Sequence, residues 1–178
     1  DPAYAPVPYT SEVVLGKDGV KPDWADPLHM PFLDKLNRKN ICRDGTVAKL
    51  RDSCAYDFRY DCFLNPAGKT GIKGRGALGK WGPNWAADVI VTKEVSGELA
   101  VLLCEKVTND GSALCFPAGM VEEGEEIPET MRRELCEEAV TNAEVVEELF
   151  RDCRVRTVYS GHVDDYRNTD HAWMVTQA

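Results

Sequence analysis

Residues 119–141 constrain this chain more than any other segment. Gly119 and Gly124 frame a short loop, Glu125 follows, and an apolar-patterned stretch from Ile127 carries Glu134, Glu137 and Glu138. Glycine permits tight turns and lets main-chain oxygens approach a ligand. Pro128 suits the first helical turn, so a helix is predicted to begin near it. With Ile127 at zero on a helical wheel, Met131 falls at about 40°, Leu135 at about 80° and Ala139 at about 120°. Glu138 falls at about 20° and Glu134 at about 340°. Two carboxylates therefore lie on or beside the apolar stripe, while Glu129, Arg132 and Cys136 point away. An ordinary amphipathic helix carries its acids on the opposite face, and a carboxylate buried without compensation is costly. Arg133, at about 240°, lies nearer Glu137 than Glu138. A divalent cation between the acids is the simpler neutraliser, and all-oxygen ligands favour Mg²⁺ or Mn²⁺. The plain alternative is a solvated acidic face.

The rest of the chain reads as strands around that helix. Residues 1–66 are rich in turns, with prolines at 2, 6, 8, 22, 27, 31 and 66, which predicts an irregular N-terminal arm or cap. Within it a short strand is expected near Glu12–Leu15, and some structure near Thr46–Leu50. Residues 67–178 form the main domain. Strands are expected at Asp88–Lys93, Glu98–Val107, Leu114–Phe116, Arg154–Tyr159 and Ala172–Thr176, with a second helix over Asn142–Asp152 and a polar loop at Gly161–His171. Strands interleaved with two helices predict an α/β fold, a mixed sheet covered on both faces.

The chain has a net charge of -9, which argues against a nucleic-acid partner. Hydrophobic residues make up 43%, enough for a packed core. The longest apolar run, Leu99–Cys104, falls far short of the ~20 residues a membrane helix needs, so no direct membrane contact is expected from this segment. Seven cysteines, none in a Cys-x-x-Cys pair, give no zinc pattern and read as reduced thiols in a reducing, intracellular compartment. The chain starts at Asp1, so a leader or a larger parent protein is expected upstream.

Residues 67–84 are glycine-rich and basic. Gly68-Lys69-Thr70 looks like the end of a P-loop, but Phe63 stands where the first glycine is needed. Glycine amides with Lys73, Arg75 or Lys80 suit a phosphate, and a flexible basic loop is the alternative. Asp164, Asp165 and Arg167 lie in the polar loop, where the planar fork of Arg167 could hold a phosphate and either aspartate could act as base. A polar turn with internal salt bridges is the competing reading. His162 and His171 fit structural roles better than ligation, and Trp81 and Trp85 fit core packing better than stacking.

The spacing in 119–141 resembles the Nudix box, Gly-x5-Glu-x7-Arg-Glu-apolar-x-Glu-Glu-x-Gly-apolar, with matches at Gly119, Glu125, Arg133, Glu134, Leu135, Glu137 and Glu138. Val140 and Thr141 depart from it. The stretch Asn65–Asp88, together with Trp24-Ala25-Asp26-Pro27 and Asp164–Trp173, is similar to one Nudix branch, the animal ADP-ribose pyrophosphatases. That branch usually lacks the last glycine of the box. The same domain occurs at the C-terminus of melastatin-type transient receptor potential cation channels.

The resemblance implies a Nudix α/β/α sandwich that hydrolyses ADP-ribose to AMP and ribose 5-phosphate with Mg²⁺ or Mn²⁺. Glu134, Glu138 and Glu137 would hold metal with a main-chain oxygen of Ala118 or Gly119, while Glu125 and Arg133 would orient loop and helix as an ion pair. Asp165 and Arg167 would contact ADP-ribose, with Asp164, Asn84, Asp88 and Arg75 as further substrate-binding candidates. The branch continues beyond the position of Ala178, so the adenine contacts are expected outside this segment. Two other readings stand beside the enzyme. One is an ADP-ribose sensor domain within a larger channel chain, which would lie on the cytosolic side of a membrane; the enzyme would be cytosolic or mitochondrial. The other is a Nudix hydrolase for another nucleoside diphosphate derivative, since the box reports the pyrophosphate chemistry alone.

Overall fold

A computed structural model describes residues 3–16, 20–29, 55–57, 62–108, 111–152 and 155–178. The structure expected near Thr46–Leu50 lies outside them. The chain divides into two compact units: Asp1–Trp85 with His162–Val175, and Ala86–Gly161 with Thr176–Ala178. Both parallel and antiparallel strand pairs occur beside helices, as the α/β expectation requires.

In the first unit, β1 (Val7–Thr10) pairs in parallel with β4 (Ile72–Gly76), so part of the proline-rich arm is regular. The strand expected at Glu12–Leu15 is instead a single helical turn, α1. The Ser11 side chain favours the turn, accepting from the Val13 N–H at 3.3 Å as an N-cap. Two short strands, β2 (Tyr56–Asp57) and β3 (Cys62–Phe63), pair antiparallel. The core of this unit is Phe63, Trp173 and Val175, with Tyr56 and Trp85 packed against it. Trp85 is thus half-buried, packed against this core.

The second unit holds the carboxylate helix. The apolar run expected as one strand at 98–107 breaks in two because it changes partner. β7 (Glu98–Val101) pairs with β6 (Thr92–Val95), and β8 (Cys104–Thr108) pairs with β9 (Gly111–Cys115). The strand expected at 88–93 likewise splits between β5 (Gly82–Asp88), in which only 86–88 belong to this unit, and β6. β10 (Ala118–Met120) lies antiparallel to β5, with Gly119 opposite Ala87. A four-stranded sheet has the order β10-β5-β12-β11, where β11 is Ser160–His162 and β12 is Ala172–Gln177. Residues 155–159, expected as a strand, have no regular strand structure.

The two predicted helices form as α2 (Ile127–Glu138) and α3 (Ala143–Asp152). Glu129 caps α2 by accepting from the Glu126 N–H at 2.6 Å. Met131 and Leu135 of α2 and Val146 of α3 bury against Ala87 and Val89, and Val140 packs beside them. Val140 is not among the described residues with positive φ, so its backbone makes no demand for the glycine of the box. Gly124 does lie in the left-handed region, at φ 90°, which explains its place in the loop.

Candidate active site

The N-terminal end of α2 is tied to the loop before it by one arginine. Arg133 Nε donates to Glu125 Oε1 at 2.8 Å and Nη2 donates to Glu125 Oε2 at 3.1 Å, a two-pronged pair. Nη2 also donates to the Met120 carbonyl at 2.9 Å, and Nη1 reaches Glu134 Oε1 at 2.5 Å and Glu137 Oε2 at 3.5 Å. The second oxygen of Glu125 accepts from Thr130 Oγ1 at 2.8 Å and from the Glu122 N–H at 3.0 Å. Thr130 is fully buried, a supporting residue that the helical wheel did not single out.

These contacts set the charge states. The Arg133 guanidinium bonded to Glu125 holds that carboxyl down at about 2, from an ordinary 4.5. A carboxyl depressed in the folded state stabilises the fold fully above its ordinary value and loses that contribution as pH falls towards the folded value. Stability should therefore fall between pH 4.5 and about 2 on this account, and Glu125→Gln should flatten that part of the curve in thermal melts across pH.

Glu134 behaves in the opposite way. Burial pushes its carboxyl up, Arg133 pulls it down, and Glu137 and Glu138 push it up again. At 6% exposure it is the buried acid of the helix, as the wheel implied. Glu138 differs from that reading: it is exposed, because it sits in the last turn, where it accepts from the Ala118 N–H through Oε2 at 3.0 Å. Glu137 is exposed as well. Among the described residues no three His, Cys, Asp or Glu side chains already stand together around an ion position. Arg133 bonds the Glu134 carboxylate and the Ala118 amide bonds that of Glu138.

The donor set nevertheless suits a hard cation. It is all oxygen, it carries a desolvated carboxylate, and it is shaped around Gly119. A Cβ on Gly119 would lie 1.8 Å from Glu134 Oε1 and 2.1 Å from its Cδ, so the carboxylate fills the space a side chain would take. Arg133 keeps Glu125 and Met120 when Glu134 turns away from it, so releasing Glu134 to a cation does not strand a guanidinium. Asp88, expected near the substrate, accepts from Thr176 Oγ1 at 2.5 Å in the same unit.

The remaining candidates belong to the first unit. Arg167 turns back on Asp165: Nε to Oδ1 at 2.8 Å, Nη2 to Oδ2 at 2.7 Å, and its main-chain N–H to Oδ1 at 2.8 Å. The Arg167 guanidinium holds the Asp165 carboxyl below its usual range. The pair is preorganised on a turn, beside Asp164 and the exposed Tyr166 ring. The loop is anchored by Asn168, which donates to Val163 O at 2.8 Å and accepts from Met174 N at 2.8 Å.

Two of the expected substrate contacts are buried among main-chain partners. Arg75 is buried, with Nη1 donating to the carbonyls of Asp26 at 2.5 Å and Gly79 at 2.9 Å, so it braces main chain. Asn84 is equally buried and closes its own turn through Lys80 N at 2.8 Å, Lys80 O at 2.9 Å and Gly82 O at 3.1 Å. Both are polar groups whose burial demands partners, and nearby main chain supplies them. His162 and His171 are structural: Nε2 of His162 lies 3.1 Å from Asn65 Oδ1, and Nδ1 of His171 accepts from Gly74 N at 3.1 Å.

Comparison with known proteins places the chain among characterised families and relatives. A family model described as NUDIX domain matches residues 82–176, and one described as NUDT9-like, N-terminal domain matches residues 2–82. The chain is 36% identical to an ADP-ribose pyrophosphatase, mitochondrial, of Rattus norvegicus, over 98% of this chain and 55% of the relative. It is 35% identical to a transient receptor potential cation channel subfamily M member-like 2 of Nematostella vectensis, over 99% of this chain and 12% of that protein. A transient receptor potential cation channel subfamily M member 2 of Mus musculus is 33% identical, over 98% of this chain and 12% of its own length. The chain thus spans about half the length of the first of these relatives and a small part of the channels. Among the described residues no helix is long and apolar enough to cross a membrane.

Proposed function

The chain belongs to the Nudix family, and on that footing we propose that it hydrolyses ADP-ribose to AMP and ribose 5-phosphate with Mg²⁺ or Mn²⁺. Nudix hydrolases generally use a divalent metal. The observation that carries the reading is the buried Glu134 carboxylate seated over Gly119 and braced by Arg133 and Glu125. The likeness to a rat enzyme named for ADP-ribose supports the substrate.

Glu134, Glu138 and Glu137, with the Gly119 carbonyl, would hold the metal. A bound divalent ion supplies charge neutralisation for the pyrophosphate and a more acidic water. The chain's own groups do the rest. Glu125 and Arg133 fix the angle between loop and helix. Burial raises the proton affinity of the Glu134 carboxyl, and the Arg133 guanidinium beside it acts in the opposite direction. Arg167, held in plane by Asp165, presents a fork suited to a phosphate, with Asp164 next to it. Asp88 stays a weaker candidate near the terminal ribose. Arg167→Lys should raise KM for ADP-ribose by about tenfold with kcat little changed, since a point charge replaces a planar fork. Steady-state kinetics on the parent and this variant check this.

A second reading follows from the channel likeness: an ADP-ribose-binding sensor within a longer chain. The three retained carboxylates favour catalysis. Incubating the protein with ADP-ribose, NAD and ADP-glucose in Mg²⁺ separates the readings. Preferred AMP release from ADP-ribose supports the enzyme, binding without products supports the sensor, and preference for another substrate overturns the choice of ADP-ribose.

A further inference from the structure

Cys104 and Cys115 are two of the seven cysteines read from the sequence as reduced thiols, and the β8–β9 register sets them directly opposite each other. Opposite residues of an antiparallel pair have Cα atoms about 4.5–5.5 Å apart, within the roughly 4.4–6.8 Å that a disulfide spans. Both thiols are free and half-buried, and Cys115 Sγ lies 3.7 Å from the Cys104 carbonyl. Their hairpin is open to solvent, with Val107 and Leu114 largely exposed. The pair also brackets Glu138. Cys104 Sγ donates to the Glu138 carbonyl at 3.3 Å, and the Ala118 N–H, three residues past Cys115, holds the Glu138 carboxylate at 3.0 Å.

We propose that Cys104 and Cys115 form a reversible modification site, closing to a disulfide on reaction with a small-molecule disulfide such as oxidised glutathione and thereby loosening Glu138. One thiolate of the pair attacks a glutathione sulfur. A mixed disulfide forms and one glutathione leaves as thiolate. The second cysteine thiolate attacks the protein sulfur of that mixed disulfide, the Cys104–Cys115 bond forms, and the second glutathione leaves. The protein pair gives up two electrons and two protons, and one glutathione disulfide becomes two thiols. The Cys104 thiol can then no longer donate to the Glu138 carbonyl, which loses that partner at the end of α2.

The effect on turnover rests on the hydrolase reading; the linkage does not. The test incubates the whole chain with oxidised glutathione, maps disulfides by peptide mass spectrometry, and measures Mn²⁺ affinity and AMP release before and after dithiothreitol. The expected result is a Cys104–Cys115 linkage, Mn²⁺ affinity and turnover lowered on the order of tenfold, and full recovery on reduction. Cys115→Ser should stop at a mixed disulfide of Cys104 with glutathione and form no linkage within the chain. Failure to find the linkage overturns the proposal. So does a linked protein with the Mn²⁺ affinity of the reduced one. A reduced protein that releases no AMP overturns the hydrolase reading instead, and the pair is then judged on linkage and Mn²⁺ affinity.

Discussion

Glu134→Gln should lower AMP release from ADP-ribose by on the order of a thousandfold while leaving the protein folded, a loss equal to ~4 kcal/mol of transition-state stabilisation. Glutamine keeps the shape and the hydrogen bond to Arg133 but removes the charge that draws a cation into the site. The variant does not leave Arg133 without partners, because Glu125 and the Met120 carbonyl still hold it. Burial penalises the charged form of Glu134 in the metal-free protein, so neutralising it relieves a cost. Thermal melts should therefore show Glu134→Gln at least as stable as the parent. Loss of rate together with loss of folding would mean that the acid is structural.

Gly119→Ala should be nearly as damaging for the same reason read from the other side. The added Cβ would stand 1.8 Å from Glu134 Oε1, 2.1 Å from Cδ and 2.5 Å from Oε2. Gly119 is not among the glycines with positive φ, so alanine brings no backbone strain. The nearest clashing atoms are the far end of one flexible side chain, and the carboxylate swings aside at little cost to the fold. The cost falls on the site, because Glu134 can no longer occupy the position that its burial and Arg133 define. Turnover should fall by about a hundredfold, with the melting temperature within a few degrees of the parent. Calorimetric titration with Mn²⁺ should show the matching loss of affinity.

The wheel located Glu134 correctly because its position in the middle of α2 lets the helical period alone decide which way it faces. Glu138 sits at nearly the same angle yet is exposed. It falls in the last turn, where the neighbours of α2 no longer cover the stripe, and a wheel carries no information about where cover ends. Arg75 and Asn84 illustrate a different limit. Their residue types suit a phosphate site as well as they suit a buried brace, and the sequence does not reveal that the carbonyls of Asp26, Gly79, Lys80 and Gly82 lie within reach of them. The Arg167–Asp165 pair fits the competing reading of a polar turn with internal salt bridges, because its two members are two residues apart and closed by a turn. The Cys104–Cys115 pairing was not legible, because reading 98–107 as one strand hides the break that re-pairs β8 with β9. Long-range register is set by which strands meet, and hydrophobic alternation does not encode that choice.

The most direct measurement is product formation from ADP-ribose by the purified chain, with Mg²⁺ and then with excess chelator, alongside Glu134→Gln at equal concentration. Equimolar AMP and ribose 5-phosphate, abolished by chelation and nearly absent in the variant, is the result expected of a metal-loaded carboxylate helix. Undiminished product from Glu134→Gln, or none from the parent in saturating Mg²⁺, would contradict it.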